Sequence, residues 1–498
     1  MTATRPVPRG IDATRGVLTG AAQSLVATVL PLAFGLLALP LLTRGLGADR
    51  IALLLLAWSW LGVAQLLDLG LGRALVRRLA AAHAQGTLPD QRALVAATAT
   101  VLLAIGCTVA IGGAIVGRWY TTRTLAVPAT LRDDAERAGL LFCGLMVPTV
   151  VAAAPRAVLE AVRDFRTVSV IRLAVNTATF AVPLLLLPVS AALAPTAAVL
   201  LGVRCWSWWA LHRAARVHMA RAGADAGPRV RLGALLHDAG WITVSNILAP
   251  VLGAADRFVI GAIAGTAAVA TYAVPHEAIT KALFVPAALT TALFPALAAV
   301  GSARSQSEAG ALHAMALRST AALVLPALVL AIVAAPTIMA VLAGAAWPAT
   351  SARILVWLSL GVAANALAMI PFTVMQAAGA ARSVALLHLA ETVPYVALLL
   401  LAIDRSGAEG AAIVWAGRVV VDAIALVLLA ERMTPPAPGT WTRVLPALAI
   451  VGGLGAAMLA GAPLPAWAAL GAIAVLGLTV PRGALDAVRA WRAGTPAR

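Results

Sequence analysis

The stretch ALVAATATVLLAIGCTVAIGGAIV, residues 93–116, contains no charged side chain and is closed by Arg92 on one side and Arg118 on the other. As a helix it would be about 36 Å long, enough to cross a hydrocarbon layer of about 30 Å. A strand of a transmembrane barrel would be shorter and would alternate polar with apolar residues. This stretch does not alternate. In lipid, a helix satisfies its backbone groups internally, so the run reads as a membrane-spanning helix.

Similar runs recur on both sides of it, from Thr19 to Val480. The expected spans are 19–42, 51–70, 93–116, 138–160, 168–188, 191–212, 235–254, 266–298, 317–343, 351–377, 383–403, 410–430, 443–461 and 466–480. Composition agrees with them: 61% of the residues are hydrophobic and 11% charged, against about 25% charged in a soluble domain. The expected class is an all-α integral membrane protein with about fourteen transmembrane helices and the bilayer as its solvent.

The formal net charge is +17. In a soluble protein that value would suggest nucleic acid. Here the positive residues punctuate the apolar runs, so they read as topology, and no nucleic-acid partner is expected. With the N-terminus inside, the cytoplasmic segments carry 26 Arg and the external segments nine, the asymmetry of the positive-inside rule. Both termini are expected in the cytoplasm. Arg5, Arg9 and Arg15 precede a first run too long for a signal-peptide core, so that run is read as a retained helix after a cytoplasmic segment, 1–18.

The longest break is the basic stretch 213–234, with Gly223, Gly227 and Pro228. It separates an N-terminal six-helix bundle, 19–212, from a C-terminal one, 235–430. Two extra spans, 431–480, and a cytoplasmic tail, 481–498, follow. Six is even, so both bundles enter the membrane in the same orientation, as parallel repeats do. Proline recurs inside the spans, Pro31, Pro183, Pro326, Pro371 and Pro394 among them, and each favours a kink.

Charges inside spans cost about 2.5–3.5 kcal/mol each on insertion scales and therefore mark functional candidates. Glu277 and Lys281 stand at i,i+4, just after His276. His388 and Glu391 stand at i,i+3, and Arg418 and Asp422 at i,i+4. Gln65 and Asp68 lie near the cytoplasmic end of the second span. Lys281 is the single lysine of the chain. The i,i+4 pairs either neutralise one another on one helix face or serve a transported charge. Asp68 either caps a helix end, pairs with Arg73 or takes part in coupling.

Enzymatic readings find little support. The sequence has no GxxxxGK[ST] loop, no HExxH and no Cys/His metal spacing, so no cofactor or metal is expected and the chain is not read as an enzyme. Cys107, Cys143 and Cys205 read as packing residues. Asp133-Asp134 resembles the acidic pairs of membrane glycosyltransferases, but it lies in a short, charge-rich external loop and is read as solvated.

The stretch Leu39-Pro-Leu-Leu-Thr-Arg-Gly-Leu-Gly47, followed by Leu67-Asp-Leu-Gly-Leu-Gly-Arg-Ala-Leu-Val-Arg77, resembles the first two helices of bacterial polysaccharide flippases. These belong to the multidrug/oligosaccharidyl-lipid/polysaccharide exporter superfamily. Asp256-Arg-Phe-Val-Ile-Gly261, Tyr272-Ala-Val-Pro-His-Glu277 and Phe294-Pro-Ala-Leu297 are similar to the start of that family's second bundle. Leu387-His-Leu-Ala-Glu391 and Gly417-Arg-Val-Val-Val-Asp422 are similar to its eleventh and twelfth helices.

The resemblance covers most of residues 15–430. It implies two six-helix bundles in a V-shaped, MATE-like arrangement around a cavity. It also implies a substrate, an undecaprenyl-diphosphate-linked oligosaccharide, moved outward across the bacterial cytoplasmic membrane for cell-surface polysaccharide synthesis. A diphosphate suits Arg and Lys, so Lys281, Arg418, Arg44 and Arg257 are the expected substrate contacts. Glu277, His388, Glu391, Asp422 and Asp68 are the expected proton-coupling groups. The implied partners are the bilayer, the lipid-linked glycan, and a glycan polymerase or glycosyltransferases of the same pathway. The alternatives are a lipid II flippase or drug/cation antiporter of the same superfamily, and a membrane glycosyltransferase or polysaccharide polymerase.

Overall fold

The computed structural model describes residues 10–64, 71–85, 87–125, 127–220, 232–291, 293, 306–344, 347–462 and 465–479. The described residues form helices and connecting turns, with no strand among them. The chain divides into two compact units, Met1–Ala254 and Ala255–Arg498. Nine of the described helical segments are long and apolar enough to cross a membrane.

The first unit contains α1 (Gly10–Ala64), α2 (Leu71–Ala84), α3 (Arg92–Trp119), α4 (Arg132–Gly144), α5 (Met146–Val151), α6 (Ala153–Ala161), α7 (Phe165–Leu186) and α8 (Leu193–Ala220). The span expected at 19–42 and the described part, 51–64, of that expected at 51–70 are thus the two arms of α1, joined at Gly47, whose φ of 74° lies in the left-handed region. Glycine adopts that conformation without the Cβ clash other residues suffer. Helix α1 packs on α7, α2 on α6, and α3 on α4 to α6, while α8 touches α4, α6 and α7. Leu71, Leu75, Leu94, Leu102, Val150 and Val158 form the core where α2, α3, α5 and α6 meet. At Gly106 of α3 a Cβ would lie 3.2 Å from the Cα of Val147, a tight contact, so glycine lets the two backbones approach closely there.

The second unit contains the rest of α9 (Leu232–Ile279), which turns at Gly265 (φ 81°). A 3-10 turn, Thr280–Leu283, and helical residues 284–291 follow. Then come α10 (Gln306–Val333), α11 (Ala335–Ala343), α12 (Thr350–Ala377), α13 (Ala381–Met433), α14 (Trp441–Leu459) and α15 (Pro465–Thr479). The expected spans 383–403 and 410–430 are the two arms of α13, joined at Gly407 (φ 56°). A straight helix of that length would reach about 80 Å, far beyond one hydrocarbon layer. The expected span 317–343 is in fact two helices, α10 and α11. Pro336 sits in the first turn of α11, where its missing N–H costs nothing.

Helices α12 and α13 form the closest packing of this unit: a Cβ on Gly361 would lie 2.4 Å from the Trp415 ring. The C-terminal helices α14 and α15 pack on α10 and on each other, and α14 also touches α12.

Two features show how a lipid-solvated chain keeps its polar and apolar groups apart. Hydroxyls inside the helices donate back to the carbonyl four residues earlier, as Thr43 does to Leu39 (2.8 Å), Ser359 to Leu355 (2.6 Å) and Thr392 to His388 (2.8 Å). Large apolar side chains, Leu37, Ile115, Leu185 and Val393 among them, stand exposed on the outer faces of their helices. Lipid tails solvate such faces.

Candidate functional site

The two glycine turns of the second unit build one polar network. The Gly265 turn folds α9 back on itself, so Asp256 and Arg257 on one arm meet Tyr272, His276 and Glu277 on the other. The Tyr272 hydroxyl donates to Asp256 Oδ2, and Asp256 Oδ1 accepts the backbone N–H of Arg257 at 2.7 Å. Arg257 Nη2 lies 2.8 Å from His276 Nδ1 and 3.6 Å from Glu277 Oε2. Glu277 also accepts from the ammonium of Lys281, which stands on the 3-10 turn that ends the arm.

The Gly407 turn does the same for α13. Arg418 Nη1 reaches Glu391 Oε2 at 3.4 Å, and His388 Nε2 stands 3.4 Å from Asp422 Oδ1. The Arg418 guanidinium lies over the Tyr395 ring, 5.1 Å from its centroid, a cation–π contact. Phe372 of α12 stacks on His388 at 6.3 Å. Trp415 joins the two halves, since its ring meets His276 edge-on at 5.4 Å.

These groups are buried: Asp256 and Tyr272 are fully enclosed, and Arg257, His276, His388 and Asp422 are each less than a tenth exposed. Three cations, four carboxylates and two imidazoles therefore lie in one connected network, with Lys281 its most exposed member. Not all their hydrogen-bonding capacity is used within the protein. His276 Nε2, His388 Nδ1, Glu391 Oε1 and the Tyr395 hydroxyl are buried without a partner. Such groups are costly to leave unmet, so this is not an arrangement that stability alone requires. The arrangement can exchange partners with a charged or polar molecule and can pass a proton between imidazole and carboxylate.

The structure brings together seven of the nine residues singled out from sequence: Lys281, Arg418, Arg257, Glu277, His388, Glu391 and Asp422. Arg44 is not among them. It is exposed on α1 of the first unit, three residues before the Gly47 turn. Asp68 lies outside the described residues. The i,i+4 reading of Arg418 and Asp422 is corrected, because the closer partners lie across the Gly407 turn. The expected spans 235–254 and 266–298 leave Arg257 in a break between them. The helix instead continues through it to Gly265.

Sequence reading missed Asp256, Tyr272, Tyr395 and Trp415 as members of the network. Asp256 and Tyr272 each open a motif that carries the family resemblance, and Asp256 is also an acidic residue beside an arginine within an apolar region; Tyr395 and Trp415 have no such signal. It also missed a smaller cluster in the first unit, where Arg156 and Arg172 converge on Glu160 at 3.9 and 3.7 Å.

Asp134 belongs to a different kind of site. Its two carboxylate oxygens accept the N–H groups of Leu193 and Ala194 at 2.7 and 2.9 Å, capping the start of α8. Asp133 is almost fully exposed. The acidic pair is thus one helix cap and one solvated residue. Asp164, between α6 and α7, accepts the N–H of Thr167 at 3.2 Å and faces His218 at 3.3 Å. Partial burial raises its pKa, but the Thr167 and His218 contacts outweigh that and hold the carboxyl below its ordinary value.

Known proteins with the same sequence pattern and fold bear on these observations. A family model described as "Polysaccharide biosynthesis protein" matches residues 144–352. A Shigella flexneri protein named "Putative O-antigen transporter" is 28% identical over 419 residues, covering 84% of this chain and 98% of that protein. A multidrug resistance MATE family transporter of the MOP superfamily, in its inward-facing conformation, superposes with a TM-score of 0.68. It is 14% identical and covers 82% of this chain and 98% of its own. The lipid II flippase MurJ superposes with a TM-score of 0.66 at 11% identity, covering 94% of this chain and 98% of its own. The chain is thus similar to polysaccharide biosynthesis proteins over residues 144–352 and to the Shigella flexneri protein over most of its length. The fold is a MATE-like one. In this MATE-like chain the polysaccharide model spans the whole Asp256–Lys281 half of the polar network.

Proposed function

We propose that this chain flips an undecaprenyl-diphosphate-linked oligosaccharide from the inner to the outer leaflet of the bacterial cytoplasmic membrane, by alternating access and without bond chemistry. The observation that carries this reading is the buried network of the second unit, three cations among four carboxylates and two imidazoles. A sugar head group loses several kcal/mol per unmet hydrogen bond in hydrocarbon, so its passage needs polar groups at membrane depth. Arg257, Lys281 and Arg418 each rest on a carboxylate, and a diphosphate can compete for all three. Arg44 is proposed as a separate contact of the first unit. Outward movement of about two negative charges is assisted by an inside-negative potential, by roughly 2.3 kcal/mol per charge per 100 mV.

Glu277, His388, Glu391 and Asp422 are proposed to exchange protons as the cations change partner, with Asp68 as a further candidate. Both termini are placed in the cytoplasm by the arginine count, and a polymerase or glycosyltransferases of the same pathway act on the glycan before or after transfer. The likeness to MATE and MurJ structures supports the fold alone. The mixed charges of the network favour an anionic glycolipid over a cationic drug.

The test is complementation in a bacterium lacking its own polysaccharide flippase, scoring surface glycan and the lipid-linked intermediate. The expected result is restored surface glycan with the wild-type chain and an accumulated intermediate with Lys281→Ala at equal membrane abundance. Export by Lys281→Ala at the wild-type rate would remove Lys281 from the site. Drug resistance without surface glycan would replace this reading with the antiporter one.

A further inference from the structure

A cavity of about 360 Å³ lies in the second unit, apart from the charge network. Pro336 and Met339 of α11, Trp347, Ala352 and Arg353 at the start of α12, and Leu459 at the end of α14 line it. Its volume is that of a small-ligand pocket, and its walls are apolar except at two places. The first is Trp347, whose indole N–H is buried without an acceptor. The second is Arg353, a half-exposed side chain held in one position. Its Nε donates to Glu409 Oε1 at 2.8 Å and its Nη1 to the Leu459 carbonyl at 2.9 Å. The Trp357 indole donates to the same Glu409 oxygen at 3.3 Å. Arg353 lies in the first turn of a 28-residue helix, where the helix end adds positive potential.

An occupant matching these walls has an apolar chain, an oxygen acceptor for the Trp347 N–H and an anionic group toward Arg353. We propose that this cavity binds one chain and the phosphate-ester region of an anionic lipid. Arginine counting assigns this end of the unit to the outer face of the membrane. The chemistry is shared by a bilayer phospholipid and by a polyprenyl phosphate. The proposal rests on the cavity alone, not on the transport reading.

The test uses the full-length protein in lipid nanodiscs, with brominated acyl chains as quenchers of tryptophan fluorescence. The Trp347 signal is the difference between the wild type and Trp347→Phe. Brominated phosphatidylglycerol is expected to quench that signal several-fold more than brominated phosphatidylcholine at equal mole fraction. Arg353→Gln should remove the preference, and Ala352→Phe, which fills the cavity, should remove the excess quenching. Relief of the quenching by a few mole per cent of unbrominated undecaprenyl phosphate identifies the carrier lipid as the occupant. Persistence of the quenching identifies the phospholipid. Equal quenching of wild-type Trp347 by the two brominated lipids would overturn the proposal, and that comparison needs no destabilising variant.

Discussion

The two units carry their ion pairs in opposite ways. Among the described residues each has five. In the first unit they range from largely to partly exposed: Arg118 is 78% exposed and Asp133 94%, and even the Arg156–Glu160–Arg172 cluster is 27–39% exposed. In the second unit four of the five lie among membrane-spanning arms, with Arg257 7% and Glu391 9% exposed. Arg353–Glu409, at the edge, is the exception. Exposed pairs contribute about 0–1 kcal/mol. Enclosed pairs must first overcome desolvation, and apolar residues of the same volume often do as well or better. The pairs of the first unit are therefore the more exposed ones. The second keeps charge where stability does not require it, which points to work done by the charges themselves.

Breaking one enclosed pair should produce the largest effect. Arg418→Ala leaves Glu391 buried without its cation, which costs about 3–5 kcal/mol. Thermal unfolding in detergent should show a drop of many degrees, and surface glycan should be lost. A small drop would place the pair in contact with water and weaken the contrast between the units.

The cap on α8 comes next. Asp134→Ala removes two hydrogen bonds to backbone N–H groups at the helix start and should cost about 1–2 kcal/mol. Glycan export should persist once protein levels are equalised. Loss of export in a fully stable Asp134→Asn would give Asp134 a role beyond the cap and return attention to the acidic pair.

Asp164 allows the contrast to be read through pH. Its carboxyl titrates below the unfolded value of 3.8. The stability it adds is thus complete above that value and is lost as pH falls through the lower folded one. Asp164→Asn should therefore be less stable than wild type at neutral pH, with the two converging in strong acid. Parallel unfolding curves at all pH values would contradict the assigned contacts.

The smallest effect belongs to the exposed pairs. Arg118→Ala, which removes a 4.0 Å contact to Glu136, should change stability by no more than about 0.5 kcal/mol. A larger change would show that charge in the first unit also carries weight in the fold.

Much of this was legible in the sequence, for reasons that differ by residue. Runs such as 93–116 announce a membrane helix because lipid leaves the backbone no alternative. Glu277, Lys281, His388, Glu391, Arg418 and Asp422 stand out because a charge in such a run is expensive. Partner choice was not legible. The polar stretch Asp404-Arg-Ser-Gly-Ala-Glu409 marks where α13 turns, but not which side chains of its two arms meet, so the pairing of Arg418 with Glu391, 27 positions away, is visible only in the structure. Asp256 is a different case: the expected break between 254 and 266 covers it, whereas the turn lies nine residues beyond it, at Gly265. The motif Leu46-Gly-Ala-Asp-Arg50 resembles Leu252-Gly-Ala-Ala-Asp-Arg257, yet the first contains its turn, at Gly47, and the second precedes its turn.

If the enclosed charges of the second unit serve transport and not folding, removing a whole pair should spare the fold and stop export. The decisive experiment is the paired variant Arg418→Met with Glu391→Leu, assayed for thermal stability in detergent and for surface glycan in a flippase-deficient strain. Stability equal to or above that of the wild type is expected, together with loss of export and accumulation of the lipid-linked intermediate. A stable paired variant that exports glycan at the wild-type rate would contradict a transport role for these charges.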